Sequence, residues 1–137
     1  THKEILDKKK SVIQDRSIYE DAEIFAKNLY KLGKMNKRDY QNYRKLFQEM
    51  TYFLQPPDLL IYLRSGLPKL IKQIKLRGRE FEQNIDTGYL ERLNTSYEDW
   101  ITHYKLGRCL IIENEELDFV NRKKDFSMIK SLIKENL

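Results

Sequence analysis

Two arginines flank a glycine in Leu76-Arg77-Gly78-Arg79-Glu80-Phe81-Glu82. A guanidinium fork matches phosphate oxygens, and a glycine lets a loop close over them. One reading is a mobile clamp that stabilises charge in phosphoryl transfer. The other is a solvated helix end in a basic chain. Asp15-Arg16-Ser17 is the second candidate; it follows Ser11-Val12-Ile13-Gln14, which reads as a short buried strand. Ligands of open α/β sheets bind beyond the carboxyl ends of strands. Asp15 could hold a metal ion there, and Arg16 could orient a phosphate or a carboxylate. Equally, Asp15 or Ser17 could simply cap the next helix. Asp21 and Phe25 lie four apart on that helix and share a face. A carboxylate there could accept a bond from a base edge while the ring stacks on it. The plainer alternative is a core Phe25 beside a first-turn Asp21. Glu82 could accept a bond from a sugar hydroxyl, or be a surface glutamate.

Phosphate chemistry of this kind needs a cradle. The Walker A pattern is Gly-x4-Gly-Lys-Ser/Thr. Of the five glycines only Gly33 precedes a lysine, with Asn28 in place of the first glycine and Met35 in place of the Ser/Thr. The pattern is absent from these residues, so nucleotide chemistry would need others.

The elements that must position these residues alternate in type. Phe25, Leu29 and Leu32 fall at helical spacing between Ile18 and Leu32, and Gly33 suits the position just past the helix end. Asn36 with Asp39 resembles a helix cap with an acidic first turn. Tyr40, Tyr43, Phe47, Met50 and Leu54 follow at 3-4-3-4 spacing, an amphipathic helix that Pro56-Pro57 stops. Asp58 to Leu63 is a near-continuous apolar run, expected as a strand covered on both faces. Ser65-Gly66-Leu67-Pro68 turns the chain into a helix with Leu67, Leu70, Ile71 and Ile74 inward; Lys69, Lys72 and Lys75 read as its solvated side. Asp86 or Thr87 caps a long helix running to Tyr104, and Gly107 closes it. Cys109 to Ile112 is a third strand, and Asp125 to Leu137 a last helix. The order β-α-α-β-α-α-β-α implies an α/β fold, a parallel sheet with helices on both faces.

At 137 residues the chain has the size of one domain, and residues 1–137 are expected to form part of one. With 40% apolar and 12% aromatic residues it can build a core. The net charge of +5 comes from interspersed 26 basic and 21 acidic residues, without a basic tail. That argues against a nucleic-acid polymer as partner. No apolar run approaches the ~20 residues of a membrane span, so no membrane partner is expected. The single cysteine, Cys109, sits in an apolar run and reads as a buried, inert thiol in a reducing, cytoplasmic setting. Two histidines cannot build a His-rich metal site. Thr1 to Lys10 reads as a charged helix, and the three apolar strands want neighbours. We therefore expect further residues before Thr1.

Taken together, four segments resemble the deoxyribonucleoside kinase family. Asp15 to Ala26 is similar to its Asp/Glu-Arg-Ser motif and the helix that follows. Pro57 to Leu63 resembles its fourth strand, and Ile74 to Glu82 its lid, here about residues 76–85. Tyr89-Leu90-Glu91-Arg92-Leu93 resembles the helix after the lid. Their order and spacing carry the resemblance from about Val12 to the C-terminus. It implies an incomplete P-loop kinase fold. It also implies transfer of the γ-phosphate of ATP to the 5′-hydroxyl of a deoxynucleoside, in nucleotide salvage.

By that resemblance, Asp15 would help hold Mg²⁺ and Arg16 would orient the substrate near its 5′-hydroxyl. Asp21 would read the base and Phe25 would stack on it. Arg77 and Arg79 would close on the ATP phosphates, with Arg77 also packing against adenine. Glu82 would bond the 3′-hydroxyl, and Asp118 and Phe119 fall near the adenine-binding loop. A purine preference and a homodimer, through helices near 18–32 and 89–104, are further expectations. Gln73 departs from the family where many members carry a third lid arginine, and Ala22 follows Asp21 where several carry arginine. The P-loop and the catalytic glutamate belong to a part of the family fold outside these residues, so the segment alone is expected to be inactive. The alternative is a non-catalytic helical module whose basic helices bind an acidic partner.

Overall fold

The computed structural model describes residues 11–80 and 85–137. The expected helix over Thr1 to Lys10 lies outside them. The chain divides into two compact units, Thr1–Pro56 and Pro57–Leu137.

The first unit is helical. Helix α1 is a continuous run of three pieces: Ile18–Glu20, a π-helical segment Asp21–Ala26, and Lys27–Lys31. Ser17 starts it through a capping box. Its hydroxyl accepts from the Tyr19 amide at 3.2 Å, and Glu20 accepts the Ser17 amide at 2.9 Å. These bonds satisfy donors that a helix start otherwise leaves orphaned, a contribution of about 1 kcal/mol. Gly33 ends the helix with φ of 69°, a left-handed conformation that favours glycine. The Gly33 amide donates to Tyr30 O at 3.0 Å and the Lys34 amide to Leu29 O at 2.9 Å, a Schellman closure. Tyr19, Ala22, Ile24 and Ala26 are buried, with Ile24 wholly so. Burying a side chain of that kind is worth about 1.5–3 kcal/mol. Helix α2, Lys37–Tyr52, starts at Asn36, whose side chain accepts from the Asp39 amide at 2.9 Å. It meets α1 through the stacked rings of Tyr30 and Tyr40, 4.5 Å apart, and through an Arg44–Glu23 ion pair.

The second unit is α/β. Strands β1, Leu59–Arg64, and β2, Arg108–Glu113, pair in parallel with Leu59 opposite Arg108 and Arg64 opposite Glu113. Parallel neighbours require a long crossover. Here it holds α3, Leu67–Arg77, and α4, Thr87–Thr102. Asp86 is the cap of α4; its carboxylate accepts from the Gly88 and Tyr89 amides at 3.2 and 2.9 Å. Helix α4 ends at Thr102 rather than Tyr104 because His103 already leaves helical geometry. Arg64 ties the crossover to the sheet: it reaches Glu98 of α4 at 3.1 Å and Glu113 of β2 at 2.8 Å. Tyr62 donates to the same Glu98 at 2.9 Å. Burial and that carboxylate push the Tyr62 phenol well above its ordinary pKa. Helix α5, Lys123–Asn136, follows β2. Ile101, Ile112 and Ile129 are the buried apolar residues of this unit among the described residues.

The fold class agrees with the sequence: α/β, with a parallel sheet. One element does not. Ser11-Val12-Ile13-Gln14 is not a strand; it is extended coil, and Ile13 is 93% exposed. β-Branched residues favour a strand only where a neighbour supplies ladder bonds. Among the described residues no strand pairs with this segment. For the same reason β1 is not covered throughout. Leu63 is exposed, since two strands make a narrow sheet. Cys109 is half-buried rather than buried, and burial still raises its thiol pKa, which disfavours the reactive thiolate.

Candidate active site

Arg16 is the most distinctive backbone position. Its φ of 61° makes it the one non-glycine residue with positive φ among the described residues. Such a conformation costs an ordinary residue about 1–2 kcal/mol, and strain of this kind clusters at functional sites. It falls immediately before Ser17, whose backbone is extended where it caps α1. The turn carries the Arg16 guanidinium over the Phe25 ring, 4.9 Å from its centroid. Two candidates from separate motifs are thus brought together by a cation–π contact.

Asp21 and Phe25 both lie in the π-helical segment Asp21–Ala26. Such segments are rare and recur at functional sites. Asp21 is exposed and Phe25 half-buried. Asp21 also acts on Tyr43 of α2: burial first, then the Asp21 charge, raises the Tyr43 phenol pKa. Asp15 is exposed. No group of three or more His, Cys, Asp or Glu among the described residues could hold a metal ion. A lone carboxylate nevertheless fits Mg²⁺, which keeps most of its waters and is shared between one or two carboxylates and substrate phosphates.

In the second unit, α3 ends at Arg77, and Gly78 caps it in the left-handed conformation with φ of 66°. The Gly78 amide donates to Ile74 O at 3.3 Å. Arg77 and Arg79 on either side are exposed. The glycine therefore serves as a helix stop that turns the two arginines onto different paths. Glu82 lies outside the described residues, as does most of the expected lid beyond Glu80.

Asp118 and Phe119 sit in the segment between β2 and α5, both half-buried. The Asp118 carboxylate accepts from the Asn121 amide at 3.1 Å and from its side-chain amide at 3.0 Å. These bonds, with Arg122 nearby, hold its pKa below the usual aspartate value. The Asp118 amide in turn donates to Asp125 at 2.8 Å.

Sequence reasoning passed over what lies just before this segment. Asn114 is buried at the carboxyl end of β2, where its side-chain amide donates to Ser65 at 3.0 Å and its backbone amide to Arg64 O at 2.8 Å. Its side-chain oxygen is buried without a hydrogen-bond partner. Lys69, expected as solvated, is half-buried and bonds the backbone of this segment. One signal was available. Lys69 is the third residue of α3, and a cation near a helix N-terminus is disfavoured by the dipole unless something else holds it.

Comparison with known proteins agrees with the family resemblance. A model of the family described as deoxynucleoside kinase matches residues 1–137. The deoxyadenosine/deoxycytidine kinase of Bacillus subtilis is 40% identical over 119 residues, covering 85% of this chain and 55% of that protein. The deoxyadenosine kinase of Dictyostelium discoideum is 37% identical over 120 residues, 87% of this chain and 48% of its own. Among solved structures, deoxyadenosine kinase from M. mycoides with bound dATP superposes with a TM-score of 0.74 at 28% identity, covering 97% of this chain and 68% of that one. The chain spans about half the length of these two curated relatives. The family model spans all of residues 1–137, and on it the chain belongs to the deoxynucleoside kinase family.

Proposed function

We propose that this chain is the substrate and lid portion of an ATP-dependent deoxynucleoside kinase that phosphorylates the 5′-hydroxyl of a deoxynucleoside, purines preferred, in cytoplasmic nucleotide salvage. Residues 1–137 are part of one kinase domain, with the lid at about 76–85. The observation that carries the reading is the strained Arg16 turn. It lifts a guanidinium against the ring of Phe25 beside an exposed Asp21, within a chain that matches the family along its whole length.

Each residue has a role its chemistry supports. Asp21 accepts from the base edge, and Phe25 offers a face for stacking. Arg16 donates to the substrate near its 5′-hydroxyl. Arg77 and Arg79 clamp the ATP phosphates, and Arg77 also packs on adenine. Glu82 accepts from the 3′-hydroxyl. Asp118 and Phe119 approach the adenine. Asp15 contributes to holding Mg²⁺, which neutralises phosphate charge when bound. Helix α1 leaves Leu29 and Tyr30 exposed, which fits the homodimer of this reading. No Walker A pattern lies within the 137 residues, so this segment by itself is inactive.

The test is a substrate panel on a full-length form, extended to the relatives' length. With saturating ATP, kcat/KM for deoxyadenosine or deoxyguanosine exceeds that for deoxycytidine and thymidine by about tenfold or more, as a site that hydrogen-bonds a base edge requires. Equal kcat/KM for purines and pyrimidines would remove the purine preference.

A further inference from the structure

We propose that Lys69 is a positioning residue for the nucleotide. It holds the segment after β2 in the shape that presents Asp118 and Phe119 to the base of the phosphate donor. The inference rests on the reading of those two residues as the adenine contact.

An ammonium has three N–H donors and no acceptor. All three find carbonyls on one short stretch: Asn114 O, Glu115 O at 2.9 Å and Leu117 O at 2.7 Å. That stretch leads straight into Asp118 and Phe119. Three carbonyls aimed at one point cannot be satisfied by helix or sheet ladders. Without the cation they would face one another, and the segment would have to open. The arrangement works against local preference, since Lys69 sits in the first turn of α3, where the dipole disfavours a positive charge. A surface lysine would turn to water; this one is drawn inward by the carbonyl dipoles. Neighbouring bonds complete the brace. The Gly66 amide donates to the Glu115 carboxylate at 2.8 Å, and Asn114 bonds Ser65. The start of α3 and the exit of β2 are thereby locked together, and the same segment continues directly into the two adenine-contact candidates.

Positioning and mere stability separate in kinetics. In the full-length form, Lys69→Met keeps the length of the side chain and removes the donors. Its KM for ATP rises about tenfold or more, because a displaced contact weakens binding of that ligand alone. KM for the deoxynucleoside and kcat stay within about twofold. Phe119→Ala, run in parallel, tests the underlying reading and raises KM for ATP as well. If Phe119→Ala raises it and Lys69→Met does not, the Lys69 proposal is overturned and the adenine contact stands. If neither changes it, both fall. Should Lys69→Met fail to fold, Lys69→Arg carries the test. A planar guanidinium retains the charge but cannot meet three carbonyls converging on a tetrahedral nitrogen. Its KM for ATP lies between those of the wild type and a Phe119→Ala protein, and parity with wild type would overturn the proposal.

Discussion

Replacing Arg79 by alanine lowers kcat of the full-length form by about 10²–10³-fold, the usual loss when one preorganised donor to developing transition-state charge is removed. Stability moves little. Arg79 is exposed and follows the end of α3, and surface substitutions of this kind stay within about 0.5 kcal/mol. The split follows from where the residue stands. Gly78 terminates α3 in the left-handed conformation, so Arg79 lies beyond that helix. Arg79→Lys keeps the charge and loses the bidentate fork, and recovers only part of the rate. Steady-state kinetics beside thermal denaturation checks the prediction. Unchanged turnover in Arg79→Ala would sink the lid assignment.

Arg16→Gly gives the second large effect, on turnover and with almost no change in stability. Glycine adopts positive φ freely, which relieves about 1–2 kcal/mol of backbone strain. Against this stand the lost cation–π contact with Phe25, about 0.5–1 kcal/mol at an exposed site, and the greater entropy of a glycine in the unfolded chain, about as much again. The terms nearly cancel, so the unfolding midpoint hardly moves. Arg16→Ala keeps the strain and loses the contact, so it is the less stable of the two. Both lose turnover by about 10²-fold or more, because the group that orients the 5′-hydroxyl is gone and misplacement is costly. A glycine variant that retained turnover would show that the turn is strained for some purpose other than catalysis.

These effects were legible in the sequence to different degrees. Caps are local chemistry, so Ser17, Asn36, Gly33 and Asp86 could be read from a few neighbouring residues, and all four act as caps in the structure. The strands at Leu59–Arg64 and Arg108–Glu113 were legible as apolar runs bounded by turn residues. The expected strand at Ser11 to Gln14 was not realised, because pairing is non-local and nothing in four residues says whether a neighbour exists. The π-helical segment that holds Asp21 and Phe25 was invisible, since π and α geometry share the same residue preferences. Nor could spacing foretell that Arg16 would lie over Phe25, because that contact depends on a single positive φ. Lys69 was misread for a related reason. Its partners are backbone carbonyls more than forty residues away, and carbonyls leave no mark on composition.

Transfer of the γ-phosphate is the central claim, and product analysis tests it most directly. A full-length form is incubated with ATP, Mg²⁺ and deoxyadenosine or deoxyguanosine, and the products are identified by mass spectrometry. The account predicts one deoxynucleoside 5′-monophosphate formed for each ADP released, and no phosphorylated product from an analogue that lacks the 5′-hydroxyl. A folded full-length form that yields no 5′-monophosphate from any deoxynucleoside would contradict it, and would favour a helical module that binds an acidic partner without chemistry.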